Sequence, residues 1–178
     1  MNTFGKTIGL TIFGESHGLS IGAVLDGLPS GEAIDWDAVR TEMARRAPGK
    51  NPMSTARAEK DAFEVQSGFF NGYTTGTPLC AIIRNSDQHS RDYDQLRHIM
   101  RPGHADYSGK VRYGGFNDYR GGGHFSGRLT APLVFAGAVV PRSWPATALP
   151  SAPISCAWPA SPISLSMPSG KQQKPCRL

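Results

Sequence analysis

Residues 7–28 read TIGLTIFGESHGLSIGAVLDGL, and this stretch decides the architecture expected for the chain. Thr7 to Phe13 and Ile21 to Leu28 are short runs of apolar and β-branched residues, which favour strands. They are separated by the segment GESHG, Gly14 to Gly18, which has the composition of a functional loop. Antiparallel pairing is the simplest connection, so we predict two antiparallel strands joined by this loop.

A helix is predicted to follow this pair of strands. Asp35 can cap its first turn, and Trp36, Val39 and Met43 lie at helical spacing on one face. Pro48-Gly49 is expected to end the helix.

Farther along, Pro78 to Arg84 predicts a third strand, and Tyr93 to Met100 predicts a short helix. Gly114 to Gly127 is read as a glycine-rich loop before an apolar helix that begins at Leu129. Helices and strands do not alternate in βαβ order. The fold class is therefore expected to be α+β rather than a doubly wound sheet.

Composition divides the chain into two parts. Residues 1–139 carry 15 Lys and Arg against 14 Asp and Glu, so the formal net charge of +5 comes almost wholly from the last 39 residues. Residues 140–178 contain no acidic residue, one glycine and eight of the 14 prolines. Prolines at this spacing interrupt helices and central strands. We predict a folded part, 1–139, and an aberrant, disordered Pro/Ser/Ala-rich tail, 140–178.

The tail also has the character of a shifted reading frame. Pro141-Arg142-Ser143-Trp144 can be encoded CCA AGG AGC TGG after a codon ending in G, and one base back the same DNA reads Ala-Lys-Glu-Leu. That reading continues the apolar run Leu133 to Val139 as a helix of strong helix formers. A natural disordered linker is the alternative. Two tryptophans and the lack of acidic residues argue against the linker.

The remaining composition indicates the class of protein. Three scattered cysteines do not form a disulfide framework, which favours a reducing compartment. No stretch approaches the ~20 apolar residues of a membrane helix, and no signal peptide is visible. The nearly neutral folded part argues against nucleic acid as a partner. We expect a soluble, cytoplasmic protein with neither a membrane nor a nucleic-acid partner and with no metal site.

Residues 101–128 have the composition of an anion-binding site. RPGHAD at 101–106 is followed by YRGGGHFSGR at 119–128. Consecutive glycines let the backbone approach a ligand, arginines supply fixed positive charge, and His104 and His124 can move protons near neutral pH. A phosphorylated substrate or cofactor fits best, with His104 as a general acid beside a leaving phosphate and Asp106 orienting its ring.

A second basic region begins on the predicted helix. Arg40, Arg45 and Arg46 lie on it or at its end, where the helix dipole also favours cations and supplies a purely structural explanation. The segment that follows, which includes Arg57, is basic and rich in hydroxyl groups. It suits a phosphate or carboxylate held by paired N–H donors, and its charge would stabilise a departing phosphate.

The GESHG loop also fits the G-x-S-x-G pattern of a serine hydrolase. That motif needs a helix after the nucleophile, whereas residues 19–24 predict a strand. The serine hydrolase is therefore the weaker alternative, and His17 is of more interest as an acid or base.

Taken together, these motifs resemble those of the chorismate synthase family. The matching segments occur in order over the first 139 residues: Thr3–Gly5, Phe13–Gly18, Arg45–Gly49, Arg57–Asp61, Arg101–Asp106 and Tyr119–Gly123. A whole member of that family is much longer, so the resemblance reaches only its N-terminal part.

The resemblance implies a lyase reaction of the shikimate pathway, in aromatic amino acid biosynthesis. Phosphate is removed from 5-enolpyruvylshikimate 3-phosphate by anti-1,4 elimination to give chorismate, with reduced FMN required and no net redox change. It also implies a β-α-β sandwich, incomplete in this chain, and a homotetramer for the full-length protein. Whether NADPH serves as the reductant stays open.

The family's site residues carry over by position. His17 is implied to protonate reduced flavin, and His104 the leaving phosphate. Substrate contacts are implied for four arginines: Arg40, Arg45, Arg46 and Arg57. FMN contacts are implied for four residues after the glycines: His124, Phe125, Ser126 and Arg128. Ser126 and Arg128 match the family pattern better than His124 and Phe125.

The family's C-terminal FMN contacts, and an aspartate that assists proton removal, have no match here. We therefore expect this polypeptide to be inactive, unstable or prone to aggregation. The alternative from another class is a non-catalytic fragment that binds a phosphorylated ligand.

Overall fold

A computed structural model describes residues 2–47, 61–86 and 99–140. These ranges contain seven strands and three α-helices: β1 (Thr3–Phe4), β2 (Gly9–Gly14), β3 (Ser20–Asp26), α1 (Trp36–Arg46), β4 (Phe63–Ser67), β5 (Phe69–Phe70), β6 (Tyr73–Thr74), β7 (Leu79–Arg84), α2 (Asp106–Arg112) and α3 (Thr130–Val139). A glycine-rich turn, Arg120–Phe125, and a short 3-10 segment, Gly127–Leu129, precede α3. The α+β class is confirmed.

Five strands form one antiparallel sheet in the order β1-β2-β3-β7-β4. The predicted pairing of the first two runs is confirmed, with Leu10 opposite Leu25 and Ile12 opposite Ala23. The third predicted strand is also confirmed as β7, which adds to β3 with Ala81 opposite Ala23.

The core lies on one face of this sheet. Successive side chains on a strand point to opposite faces. Six residues of β3 and β7 on the same face are at most 2% exposed: Ile21, Ala23, Leu25, Leu79, Ala81 and Ile83. Helices α1 and α3 pack against each other, and α3 lies against β3, so this face is covered by helices.

Helix α1 forms as the sequence predicts. The Asp35 carboxylate accepts hydrogen bonds from the backbone N–H groups of Asp37 and Ala38, at 3.1 and 3.0 Å. Val39 and Met43 are buried on its inner face, and Trp36 is partly buried there. The last helical residue is Arg46, just before the expected stop at Pro48.

Helix α3 is the most buried of the three α-helices. It begins at Thr130, one residue after the predicted start, and Pro132 sits in its first turn, where no intrahelical N–H bond is lost. Phe135 is 1% exposed, and its ring centroid lies 5.0 Å from that of Phe63 on β4. This contact joins the last described helix to the edge of the sheet.

The sequence analysis did not predict four strands and one helix: β1, β4, β5, β6 and α2. For the hairpin of β5 and β6 a signal was present, because Asn71 and Gly72 have φ of 48° and 90°, as a tight hairpin turn requires. Strand β1 has two residues, too few for a period to show.

Several expectations fall on residues outside the described ranges. These are Arg57, most of the helix expected at Tyr93 to Met100, and the tail beyond Val140. Among the described residues, no helix combines the length and apolar character needed to cross a bilayer.

Replacing Phe135 by Ala is expected to lower the free energy of unfolding by about 3–5 kcal/mol, because it leaves a cavity between α3 and β4. Urea denaturation followed by circular dichroism measures the change. Phe116→Ala, at a ring that is 96% exposed, is the matched control and should change stability by less than about 0.5 kcal/mol. Equal losses in both variants would contradict the assigned core.

Candidate active site

The GESHG loop crosses from β2 to β3 with its central side chains turned inward. Ser16 is 2% exposed and His17 is 6% exposed. The Ser16 backbone N–H donates to the carbonyl of Gly123 at 3.1 Å. Nδ1 of His124 lies 2.9 Å from the Gly14 carbonyl oxygen, which only accepts, so Nδ1 carries the proton. The loop is therefore fixed to the glycine-rich segment that the sequence analysis singled out.

That segment contains three consecutive glycines in backbone conformations that other residues avoid. Gly121, Gly122 and Gly123 have φ of 58°, 85° and 55°. A Cβ atom on Gly121 would lie 2.4 Å from Cδ2 and 2.5 Å from Nε2 of His17. On Gly123 it would lie 2.0 Å from the Asp118 carbonyl oxygen. The His17 imidazole thus rests directly on the backbone of Gly121.

Two arginine–aspartate pairs flank this turn. Arg120 holds Asp118 through Nε and Nη2, at 2.9 and 2.7 Å. Burial acts to raise the pKa of Asp118, but the hydrogen bonds from Arg120, with a smaller contribution from the charge of His17, outweigh it and leave that pKa below its usual value. Asp118 therefore stays ionised near His17.

Arg101 holds Asp106 in the same bidentate way. Its Nε and Nη2 each donate to the carboxylate at 2.9 Å. The Arg101 side-chain hydrogen bond is the main cause that lowers the pKa of Asp106. A Cβ atom on Gly122 would lie 3.7 Å from Nη2 of Arg101, so the triple-glycine turn has His17 against one residue and a guanidinium beside the next.

A cleft of about 260 Å³ borders this turn. Gly122 and Phe125 line it, together with charged and polar groups from α2 and the segment that follows: Asp106, Lys110, Asn117, Asp118 and Tyr119. Ionised, amide and aromatic groups converge there, which suits a ligand that has both a planar and an anionic part.

His104 lies in the turn before α2 with an exposed ring. Its Nδ1 is 3.3 Å from the carbonyl oxygen of Pro102. The expectation that Asp106 orients this ring is wrong, because Asp106 accepts from Arg101 and interacts with His104 only through its charge. The backbone carbonyl orients His104 instead.

The predicted arginines have different surroundings. Arg40 pairs with Asp37 at 2.6 Å and Arg45 with Glu42 at 2.9 Å, both along the exposed side of α1. Arg46 points to the buried carboxylate of Asp61. Among the described arginines of this group, Arg46 alone reaches a buried group, and the substrate contacts of all four remain predictions.

The residues of the predicted FMN segment also differ in their surroundings. Phe125 is exposed along the cleft, and Ser126 caps the following turn by accepting from the Arg128 backbone N–H at 3.3 Å. Arg128 itself is 6% exposed and binds Asp61 and Asn85. Its guanidinium therefore binds groups in the interior, unlike that of an arginine that faces a ligand.

The serine hydrolase alternative is wrong. GESHG joins two antiparallel strands rather than a strand and a helix, so it cannot form a nucleophile elbow. The Ser16 side chain is buried rather than presented at the top of a sheet.

Sequence reasoning missed two residues that hold the site together, Asp61 and Asn85. Asp61 was noted only as the last residue of a motif, and its φ of 50° and buried carboxylate have no sequence signal. Asn85 follows β7 directly, a position where a polar residue is ordinary. Cys80 is partly buried on β7, and burial raises the pKa of its thiol.

A family model, described as chorismate synthase, matches residues 8–145. This is most of the chain and includes His17, the triple-glycine turn and both arginine–aspartate pairs.

The chain belongs to the chorismate synthase family.

Relatives agree with this assignment. The chain is 50% identical over 138 residues to the chorismate synthase of Dehalococcoides mccartyi (strain BAV1), and 52% identical over 139 residues to that of Sulfurovum sp. (strain NBC37-1). A solved structure entitled "Crystal Structure of Chorismate Synthase" superposes with a TM-score of 0.51 at 30% identity, over 75% of this chain and 33% of that one. The match covers 78% of this chain but only 38% and 39% of the two relatives.

Gly121→Ala is expected to displace the His17 ring as well as strain the backbone. Gly114→Ala is the matched control, because Gly114 has φ of 60° but a Cβ there would make ordinary contacts at 3.8 Å. Both variants should lose about 1–2 kcal/mol from the left-handed backbone. Gly121→Ala should lose measurably more and shift the His17 ring resonances by NMR. Identical behaviour of the two variants would contradict the packing of His17 on Gly121.

The Arg101–Asp106 pair predicts a pH dependence of stability. Because the pKa of Asp106 is lowered in the folded state, its contribution is fully present above its unfolded value, about 3.9, and is lost as pH falls through the folded value. Asp106→Asn should therefore cost about 1–3 kcal/mol at pH 7 and progressively less below pH ~4. Urea denaturation of both proteins from pH 3 to pH 7 measures this difference, and a gap that stays constant with pH would contradict the assignment.

Proposed function

We propose that this chain is the N-terminal part of a chorismate synthase, a lyase that removes phosphate from 5-enolpyruvylshikimate 3-phosphate by anti-1,4 elimination to give chorismate. The observation that carries the proposal is the triple-glycine turn. It packs the buried His17 ring on Gly121 and brings Arg101 beside Gly122, at the edge of a polar cleft. A proton donor and fixed positive charge at one turn suit the loss of an anionic leaving group.

The residues of the cleft fit a flavin cofactor. The Gly122 backbone is free of side-chain bulk, and Phe125 offers an exposed ring on the same wall. Phe125 and the Ser126 hydroxyl are the groups that would hold FMN, with His124 behind them fixed to Gly14. Reduced FMN, when bound, supplies electron density to the elimination without net oxidation. NADPH is proposed as its reductant.

His17 is proposed to hold and donate a proton toward the flavin. Its ring is buried, lies on Gly121 and is close enough to Asp118 for their charges to interact. Histidine is the side chain that most readily gives or takes a proton near neutral pH, which suits this role.

His104 is proposed to protonate the departing phosphate from Nε2. Its Nδ1 lies near the Pro102 carbonyl, which only accepts, so Nδ1 holds a proton and Nε2 is the atom left for exchange. Arg101 is held rigidly by Asp106 nearby and adds fixed positive charge. Arg40, Arg45, Arg46 and Arg57 are proposed as the substrate side of the full site.

This polypeptide itself is proposed to be inactive and prone to aggregation, because it covers less than two fifths of its relatives and leaves large apolar side chains exposed. Exposed examples are Leu19, Tyr107 and Phe116, at 90%, 68% and 96%. We also propose that residues 140–178 are read in a shifted frame. The full-length protein is proposed to be a cytoplasmic homotetramer.

The direct test is an anaerobic assay of the purified chain with 5-enolpyruvylshikimate 3-phosphate and reduced FMN, in which chorismate is measured by chromatography. We expect no turnover from this chain. In a chain whose frame is restored by one base, turnover is expected, and His17→Gln or His104→Gln should reduce kcat by about 10²–10⁴. His98→Gln is the control, because His98 lies in none of the segments that match the family. Turnover by the 178-residue chain would contradict the proposed inactivity.

The second candidate is a fragment that binds a phosphorylated ligand without catalysis. It is favoured by the cleft near Arg101, which is lined by polar and charged residues of the described ranges. Calorimetric binding of 5-enolpyruvylshikimate 3-phosphate to the 178-residue chain, without chorismate formation, would support it.

A further inference from the structure

A network of hydrogen bonds behind the GESHG loop is not used by the proposed chemistry. At its centre the buried carboxylate of Asp61 binds two arginines, Arg46 from α1 and Arg128 from the turn before α3. Arg128 in turn donates from Nε to Oδ1 of Asn85, at 3.2 Å. One chain of contacts therefore runs from the helices to the end of β7.

Asn85 stands at the loop end of this network. Its Nδ2 donates to the carbonyl oxygens of Glu15 at 3.1 Å and Gly18 at 2.8 Å, and its backbone N–H donates to that of Leu19 at 3.1 Å. Three carbonyls on both sides of His17 are thus bound by a single residue. These hydrogen bonds hold the loop around His17 from the side of the sheet. The hydrogen bond from Ser16 to Gly123 holds it from the side of the glycine-rich segment.

The orientation of the Asn85 amide is fixed by its partners. The two loop carbonyls can only accept, so the amide nitrogen must face them, and the Arg128 guanidinium can only donate, so the amide oxygen must face it. A carboxylate of the same shape could keep the Arg128 contact but would turn an acceptor toward two acceptors. The two N–H donors and the oxygen acceptor of the Asn85 amide are therefore each matched to a partner of the complementary kind.

We propose that Asn85 is a positioning residue for His17, with its amide oriented by Arg128 and Asp61; this rests on the proposed function in that His17 is the proton donor. Asn85 does not touch the cleft. It acts by holding the carbonyls of Glu15 and Gly18, and through them the backbone of the two residues between, in the conformation that lays the His17 imidazole on Gly121.

The test replaces Asn85 by Asp in the 178-residue chain and measures amide hydrogen exchange site by site. The backbone N–H groups of Ser16 and Gly18 are hydrogen-bonded in the loop and report its opening. Loss of two side-chain donors is expected to lower their protection roughly 10- to 100-fold, with the amides of β3 unchanged. The His17 ring resonances are expected to shift in the same variant.

Asn71→Asp is the matched control. It makes the same amide-to-acid change at an exposed hairpin turn with φ of 48°, a conformation that Asn and Asp both tolerate. It should leave the loop amides and the His17 resonances as they are. Asn85→Ser removes the amide without adding a charge, and it should also lower the protection of the loop amides. That result would exclude the negative charge introduced by Asn85→Asp as the cause.

The proposal is overturned if Asn85→Asp leaves the Ser16 and Gly18 amides protected. It is also overturned if both Asn85 variants lose protection equally in β3 and in the loop, because the residue would then support the whole fold. The turnover assay of the frame-restored chain tests the proposed function separately. If that chain forms no chorismate while the exchange result holds, the proposed function fails and the positioning of His17 by Asn85 stands.

Discussion

The structure depends on the register between β2, β3 and β7. A slip of one residue would move Ile21, Ala23 and Leu25 from the helix-covered face to the other face of the sheet. In the same register the first residue of β3 lies opposite Arg84, so that Leu19 and Asn85 meet just beyond this pair. The GESHG loop is placed where Asn85 can hold it because the apolar side chains of the strands demand this alignment.

The site is built by close backbone approach as much as by side chains. Gly121 allows the His17 ring to lie against the main chain, and Gly123 allows the turn to fold back onto Asp118. Left-handed conformations at three adjacent positions cost conformational entropy, since glycine loses more freedom on folding than any other residue. Hydrogen bonds from Ser16 to Gly123 and from His124 to Gly14 offset that cost and join the turn to the sheet.

Charge is arranged so that most arginines near the site are already paired. Arg101 is held by Asp106 and Arg120 by Asp118, while Arg46 and Arg128 share Asp61. An arginine held by a bidentate partner is fixed in place and retains outward-facing N–H groups. The pair of cations on Asp61 lies in the interior, whereas the carboxylates of the other two pairs line the cleft.

The sequence by itself determined the strands β2, β3 and β7, helix α1 with its Asp35 cap, and the positive φ angles at Gly121–Gly123, because periodicity, capping and glycine runs are local properties. It did not reveal β1, β4 or the 7-residue α2, whose segments are short and carry weak patterns. Tertiary structure alone decided that Arg101 rather than His104 takes Asp106, and that Arg128 turns inward to Asp61. These choices depend on which groups the fold brings within hydrogen-bonding distance across 43 and 67 residues of chain, from Asn85 and Asp61 to Arg128, and no local pattern encodes such distances.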